Sequence, residues 1–335
     1  MKRLISFLLI TLIFQIGFGQ KLHSPAELLK IMSDSKLSFQ IDILKKEIQC
    51  SDKSEKLNYH SYYRLSTDSG LYTFTYKIRD DVKPVFDKAE AFFQSGISDS
   101  AIFYYKETLK ADSTLYNVMT YIGQVYGSKK DYQNAIAWYE KAISKNYIDY
   151  MAHWFLADTY LDMKDTKNAL DEITIAQILN RNNLRIKKSL TYIFEKAKMS
   201  TDDWCFNPQV EINKISDTKI NISANEKWLA YAMAKAIWNF EPGYKESMGV
   251  APGQYSTIED KECLVSLLIG LENSKTKIKN DPQLSILKKA TEKKYLDEYI
   301  LYEIVLPENP LVAFQLPEKT ILNIKDYILN VRNEK

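Results

Sequence analysis

The chain reads as mainly α: an α-solenoid of three helix-turn-helix repeats plus a closing helix over residues 82–199, with a small α/β N-terminal cap and a mostly helical C-terminal region. Three observations predict this. Apolar residues fall at helical spacing from residue 82 onwards. A set of small and large side chains recurs every 34 residues with no gap between units. Gly and Pro are scarce, 10 and 9 in 335 residues, against 23 Tyr, 14 Phe and 5 Trp, which favours helices over the turn-rich strands of a sandwich or barrel.

Residues 1–19 read as a secretory signal peptide. Lys2 and Arg3 precede an apolar run over residues 4–18, and Gly17 and Gly19 are small residues where a signal peptidase reads, so cleavage is expected before Gln20. The run is short of the ~20 residues that span a bilayer, so no stable membrane insertion is expected after cleavage; an uncleaved anchor is the alternative. The first Cys is Cys50, too late for a lipid anchor. The expected location is periplasmic or secreted. Of 45 basic and 43 acidic residues, Lys2 and Arg3 leave with the signal. The near-neutral remainder has no electrostatic footprint for nucleic acid. Cys50, Cys205 and Cys263 have no metal-ligand spacing; export permits one disulfide without choosing the pair, and buried free thiols fit equally.

In residues 20–81, Ser24, Pro25 and Glu27 form a helix start with a capping box, predicting a helix over 25–33. Leu37, Phe39, Ile41 and Ile43 alternate as a half-buried strand does. Tyr72, Phe74, Tyr76 and Ile78 alternate again after the turn-forming residues 67–70, with residues 57–65 as the hairpin partner.

The repeats occupy residues 82–115, 116–149 and 150–183, followed by a closing helix over 184–199. The eighth residue of each unit is small (Ala89, Gly123, Ala157) and the eleventh aromatic (Phe92, Tyr126, Tyr160). The twentieth is Ala101, Ala135 or Ala169, the twenty-fourth is large (Tyr105, Tyr139, Ile173), and the twenty-seventh is small (Thr108, Ala142, Ala176). Two antiparallel helices approach closely only where the crossing residues are small, and a large neighbour fills the hole beside the crossing. Asp131 and Asp165 stand where they cap the second helix of units two and three. One unit cannot bury its own apolar face, so units must stack.

These positions resemble the tetratricopeptide repeat (TPR) family, over about a third of the chain. The chain departs from the pattern in lacking the Pro near the end of each unit (Ser113, Tyr147, Arg181) and in carrying Val85, Met119 and His153 for the early Trp. Lys88 replaces the apolar Ile122 and Leu156 of the later units, as befits the end of a stack. The resemblance implies a concave groove lined by the first helix of each unit, through its second, fifth, ninth and twelfth residues. Among these, Phe86, Glu90, Asn117, Thr120, Gln124, Trp154 and Asp158 are the candidate partner-binding residues, with Phe86 and Trp154 as anchors and Asn117, Gln124 and Asp158 as polar contacts. The family's carboxylate clamp of Lys, Asn and Arg is not reproduced: Phe86, Glu90, Tyr121, Met151 and Phe155 stand in its place.

Residues 200–335 show no repeat. A short hairpin is expected over 210–215 and 219–222, then a helix to Phe240 capped by Ser223 and Glu226, then helices over 257–272, 283–304 and 318–332.

Candidate chemistry is sparse. His23, His60 and His153 have no metal-ligand or nucleophile partner at recognisable spacing and read as structural, and H-E-x-x-H and G-x-S-x-G are missing. Glu259, Asp260 and Glu262 read as helix-start acids, with Ser256 at capping-box spacing from Glu259, and Asp202–Asp203 is unspecific. Trp228, Tyr231, Trp238, Phe240, Tyr244 and Tyr255 are candidates to line a sugar or peptide pocket around the turn at residues 241–244, but helical spacing favours core packing for Trp228, Tyr231 and Trp238. No catalytic, cofactor-binding or metal-binding residue is assigned. The reading is a non-catalytic interaction module or scaffold in the bacterial envelope, taking a segment of another protein in the groove; the alternatives are a glycan binder, or a hydrolase with its site in residues 200–335.

Overall fold

The structure, a computed structural model, describes residues 22–333 except 54–55, 57–59, 69, 201–203, 252–255, 276–277 and 279. The signal segment, Asp202–Asp203 and Tyr255 therefore lie outside the described residues. Along the chain run α1 (Pro25–Asp34), β1 (Ser38–Ile43), the hairpin β2 (Tyr62–Thr67) and β3 (Gly70–Thr75), and the solenoid helices α2 (Lys83–Gln94), α3 (Ser98–Ala111), α4 (Asn117–Ser128), α5 (Tyr132–Lys145), α6 (Tyr150–Asp162), α7 (Thr166–Leu179) and α8 (Leu184–Lys196). Then follow β4 (Val210–Ser216), β5 (Lys219–Ala224), α9 (Leu229–Phe240), α10 (Tyr244–Ser247), α11 (Thr257–Asn273), α12 (Pro282–Glu292), α13 (Leu296–Tyr299), α14 (Leu306–Glu308) and α15 (Glu318–Tyr327). Among the described residues, no helix is long and apolar enough to cross a membrane.

The chain divides into two compact units that cut across the segments read from the sequence. One joins residues 1–50 to 205–288, the other 51–204 to 289–335. Strand pairing accounts for the first. β5 lies between β1, paired parallel, and β4, paired antiparallel. Ile222 and Ala224 of β5 pack with Ala232 and Ala236 of α9 and, at the margin, with Met32, Phe39, Val210 and Ile212. Two small alanines let α9 lie close on the sheet. The capping box of α1 forms as expected, Ser24 Oγ accepting from the Glu27 backbone N–H and Glu27 accepting from the Ser24 backbone N–H at 2.7 Å. The pair Ser223 and Glu226 does not cap α9: Ser223 belongs to β5, Asn225 caps a 3₁₀ turn over Glu226–Trp228, and the α-helix starts at Leu229. A disulfide joins Cys50 to Cys205, and Cys263 is a buried free thiol.

The second unit holds the solenoid, where the 34-residue period is visible atom by atom. Ala101, Ala135 and Ala169 are all fully buried at the helix crossings. Gly96, Lys130, Lys164 and Lys198 have φ of 72°, 60°, 64° and 58°, the left-handed turn that ends α2, α4, α6 and α8. α8 thus ends as the first helix of a repeat ends. Asp131 and Asp165 cap α5 and α7 by accepting the backbone N–H of Asn134 and Asn168. Lys88 is exposed, with its ammonium 5.6 Å from the Tyr104 ring centroid, so the end repeat presents its polar substitution to solvent.

The β2–β3 hairpin is fixed to this unit by Asn146, the residue that ends α5. Its Nδ2 donates to Tyr62 O at 2.8 Å and Tyr76 Oη at 3.1 Å, and its Oδ1 accepts from Arg64 N at 3.3 Å. Arg64 in turn donates to Leu316 O at 2.5 Å. At the C-terminal end α15 packs on α7, with Lys325 paired to Asp171 at 3.0 Å. The long helices expected over 283–304 and 318–332 are interrupted: α12 ends at Glu292, and π-helical turns occupy Ile300–Val305 and Ile328–Arg332.

Candidate functional site

The candidate groove that the resemblance implies lies on the first helix of each repeat, α2, α4 and α6, with α8 next in the chain. The hydrogen bond from Trp154 Nε1 to Ser189 Oγ, 3.0 Å, ties α6 to α8. Two aromatic patches lie along it. In the first, Phe86 lies 6.2 Å from Tyr105 and 6.3 Å from Tyr121, and Tyr105 lies 5.9 Å from Tyr121. In the second, Trp154 stacks on Phe155 at 5.4 Å and 20°, and Tyr139 is 6.3 Å from Phe155. Such tilted and offset pairs are favourable beyond the area they bury. They are also stiff, since each ring is held by others.

The polar candidates divide by burial. Glu90 is half-buried and accepts from the Tyr105 hydroxyl. That contact and burial raise the Tyr105 phenol, burial being the larger cause. Gln124 and Asp158 are half-buried. Burial, followed by the charge of Asp162, lifts the Asp158 carboxyl to about 6. Asn117 is 7% exposed; its Nδ2 donates to Tyr121 Oη at 3.2 Å, while its buried Oδ1 accepts no hydrogen bond. Thr120 is the correction among the expected groove residues. It is fully buried and donates to Asp149 Oδ2 at 2.7 Å, while Asp149 Oδ1 caps α6 through the N–H groups of Met151 and Ala152. Thr120 therefore couples two repeats and has no surface to offer a partner.

The structure brings Phe86, Glu90, Asn117, Trp154 and Asp158 into contact with the two aromatic patches. Tyr105 and Tyr139, at 0% and 2% exposure, back the half-buried rings of Phe86 and Phe155 and offer no surface of their own. The sequence marks them only as the large residue at position twenty-four, and the antiparallel return of the second helix carries their rings against the first helix of the same unit. The signal was the phase of the repeat; the direction of the ring was not in it.

Two polar clusters outside the groove were not legible in the sequence. His23, read as structural, donates its backbone N–H to Glu262 Oε1 at 2.7 Å, with its Nδ1 at 3.1 Å from the same oxygen. Glu262 is fully buried and accepts from Trp238 Nε1 and Tyr244 Oη, each at 2.7 Å. It is therefore the centre of a polar core in the first unit and not a helix-start acid. Glu259 does not close a capping box with Ser256 but pairs with Lys235 at 2.6 Å. In the second unit Glu303, with a side chain 1% exposed, accepts from Arg332 Nε at 2.8 Å and Tyr327 Oη at 3.0 Å, and lies 3.7 Å from Arg181 Nη2. His153 is buried as a packing position requires, with its ring nitrogens at 2.6 Å from Glu172 Oε2 and 2.9 Å from Tyr147 O. Among the described residues, no group of three or more His, Cys, Asp or Glu has the arrangement of a metal site.

Comparison with known proteins bears on the solenoid. Residues 117–144, spanning α4 and most of α5, match the family model of the tetratricopeptide repeat. No curated protein matches the chain. Among solved structures, the first TPR of Spaghetti (RPAP3) bound to an HSP90 peptide is 19% identical, with 35% of this chain and 93% of that one covered and a TM-score of 0.33. The Yersinia enterocolitica type III secretion chaperone SycD in complex with a peptide of the translocator YopD is 18% identical over 36% of this chain and 96% of its own, TM-score 0.33. The TPR2B domain of yeast Sti1 in complex with pHsp70 is 15% identical over 35% and 99%, TM-score 0.33. The matched segment is the middle one of three units whose buried alanines and left-handed helix ends recur in one phase, and residues 117–144 carry a tetratricopeptide repeat.

Proposed function

We propose that the protein is an interaction module that holds a segment of another protein in the groove of α2, α4, α6 and α8. The observation that carries this reading is two half-buried aromatic pairs, Phe86–Tyr121 and Trp154–Phe155, each packed on a buried ring, Tyr105 and Tyr139 respectively. Aromatic anchors set in a preformed surface bind at low cost in side-chain entropy and dominate interface energies. Half-buried Glu90, Gln124 and Asp158 supply polar selection beside them. The setting we propose is the bacterial envelope or the secreted space, from the signal-like N-terminus; the Cys50–Cys205 disulfide accords with an oxidising compartment.

The test compares capture of a partner from envelope extract by three forms of the mature chain. Phe86→Ala combined with Trp154→Ala should abolish capture and leave helical content unchanged. Phe103→Ala, at a ring 55% exposed on the second helix of unit one, should capture as the wild type does. Equal capture by all three forms would remove the groove from the mechanism.

A further inference from the structure

We infer that the second unit holds a further binding site, for a small zwitterion such as an amino acid or dipeptide. Its carboxylate is held by Arg64 and Tyr147, and its ammonium faces Glu140 and Glu172. The site is a cavity of about 670 Å³ framed by α5, α6, α7, the β2–β3 hairpin and the start of α15. That volume lies in the range of small-molecule sites, about 300–1,000 Å³. None of the candidate groove residues lines it, so the inference stands apart from the groove reading.

Two donors on the cavity wall lack an acceptor. The Tyr147 hydroxyl is buried and has no hydrogen-bond partner. Burial raises its phenol, so it stays protonated and able to donate. Arg64 is half-buried and spends Nη1 on two backbone carbonyls, Leu316 O at 2.5 Å and Phe314 O at 3.4 Å. Nε and Nη2 donate to no described residue, and no described carboxylate forms an ion pair with this guanidinium. The two groups are near neighbours, since the charge of Arg64 acts on the Tyr147 phenol. A guanidinium fork beside a hydroxyl donor is a seat for a carboxylate.

Acids supply the other half. Glu172 has Oε2 at 2.6 Å from His153 Nδ1, which leaves Oε1 to accept. Glu140 is exposed on α5, and the charges of Glu140 and Glu172 both act on Tyr160, another lining residue. Glu318 acts on Arg64 through its charge without pairing with it, and Lys145 is exposed. Three carboxylates and two cations thus line one cavity. A simple anion would meet the carboxylates, and a simple cation would leave Arg64 and Tyr147 unanswered. A zwitterion answers both ends, and half-buried Leu71 and Ile143 leave an apolar wall for its side chain.

Calorimetric titration of the full chain provides the test. The probes are the free amino acids, the dipeptide Ala-Ala, its N-acetylated and C-amidated forms, and maltose as a neutral control. Ala-Ala or a free amino acid should bind, and which of them does so names the ligand's size. Blocking either terminus should weaken binding about tenfold or more, because each block removes one charge. Tyr147→Phe keeps the ring and removes only the donor; it should leave Tm unchanged and weaken the zwitterion about tenfold. Glu140→Gln, at an exposed site, should weaken the zwitterion and leave the N-acetylated form as it was. No uptake of any zwitterion at millimolar concentration would overturn the inference. So would equal binding of the blocked forms, or maltose binding as tightly as the zwitterion.

Discussion

Gly123 of α4 lies under the ring of Tyr139 of α5: a Cβ built on Gly123 would stand 2.5 Å from Tyr139 Cε1 and 2.6 Å from Cδ1. The eighth residue of a unit is small because the twenty-fourth of the same unit occupies the space. Tyr139 is 2% exposed and packed against Ala135 and Leu156, so its ring has nowhere to retreat.

Gly123→Ala therefore sets two terms against each other. Helix propensity favours Ala by about 1 kcal/mol. Overpacking against a fixed ring costs about 1–3 kcal/mol. The expected result is a net loss of up to about 2 kcal/mol in denaturant unfolding. In a Tyr139→Leu background, where the ring is gone, the same change should stabilise by up to about 1 kcal/mol. A loss of equal size in both backgrounds would show that the ring is not what excludes the methyl group.

This relationship also marks how far the sequence could be read. The small–large alternation fixes a phase, and from it the crossings at Ala101, Ala135 and Ala169 and the caps at Asp131 and Asp165 follow, because local geometry enforces each within a unit. The left-handed ends at Lys130, Lys164 and Lys198 were hidden, since Lys carries none of the signal that Gly96 gives at the equivalent place. Pairing of β1 with β5 was hidden for another reason. Period-two alternation says that Ser38–Ile43 has a buried face and says nothing of a partner some 180 residues away. Thr120 was misplaced among the candidate groove residues: repeat arithmetic sets which face a residue occupies and not whether Asp149 already claims its hydroxyl.

Asp158 gives a pH dependence of defined sign. Its carboxyl is lifted from 3.8 to about 6 by burial and then by Asp162, so the folded state binds a proton there more tightly than the unfolded chain does. Stability from this group is present in full below about pH 4, falls as pH rises towards 6, and is gone above that. Asp158→Asn should be neutral at pH 4. At pH 7.5 it should stabilise, on the order of 1–3 kcal/mol at most, with Tm rising by several degrees. Carboxyl chemical shifts should show the wild-type group titrating near 6. A mutant that loses stability at pH 7.5 would mean that the ionised carboxylate is satisfied in the fold.

Glu303 holds the C-terminal π-helical turns together. Its buried carboxylate answers Arg332 and Tyr327 directly and Arg181 at longer range, and Arg332 also lies over the Trp204 ring at 4.7 Å. Glu303→Ala should leave the buried guanidinium of Arg332 without its main acceptor and cost about 3–5 kcal/mol. Replacing Glu303 and Arg332 together by Leu should cost much less, because the uncompensated charge goes with its partner. Calorimetry on the two variants separates the cases: equal losses would mean that packing, not charge, is what Glu303 contributes.

The disulfide assigns the three cysteines unequal fates. Cys50 and Cys205 are 155 residues apart in sequence and meet in the first unit, whereas Cys263 is fully buried on α11, its thiol pushed up by burial. A thiol reagent should find no reactive group in the native oxidised protein, one after unfolding, and three after unfolding with reductant. Closing a loop of this length removes conformational entropy from the unfolded chain, and Cys50→Ser with Cys205→Ser should lower stability by about 2–4 kcal/mol. The loss should appear in the unfolding of the β1–β5–β4 sheet, because the bridge joins the segment after β1 to the segment before β4. Hydrogen exchange resolves it by position: faster exchange at Ile220 and Ile222 with α4 and α5 unchanged is the expected pattern. Acceleration confined to the repeats would place the constraint in the wrong unit.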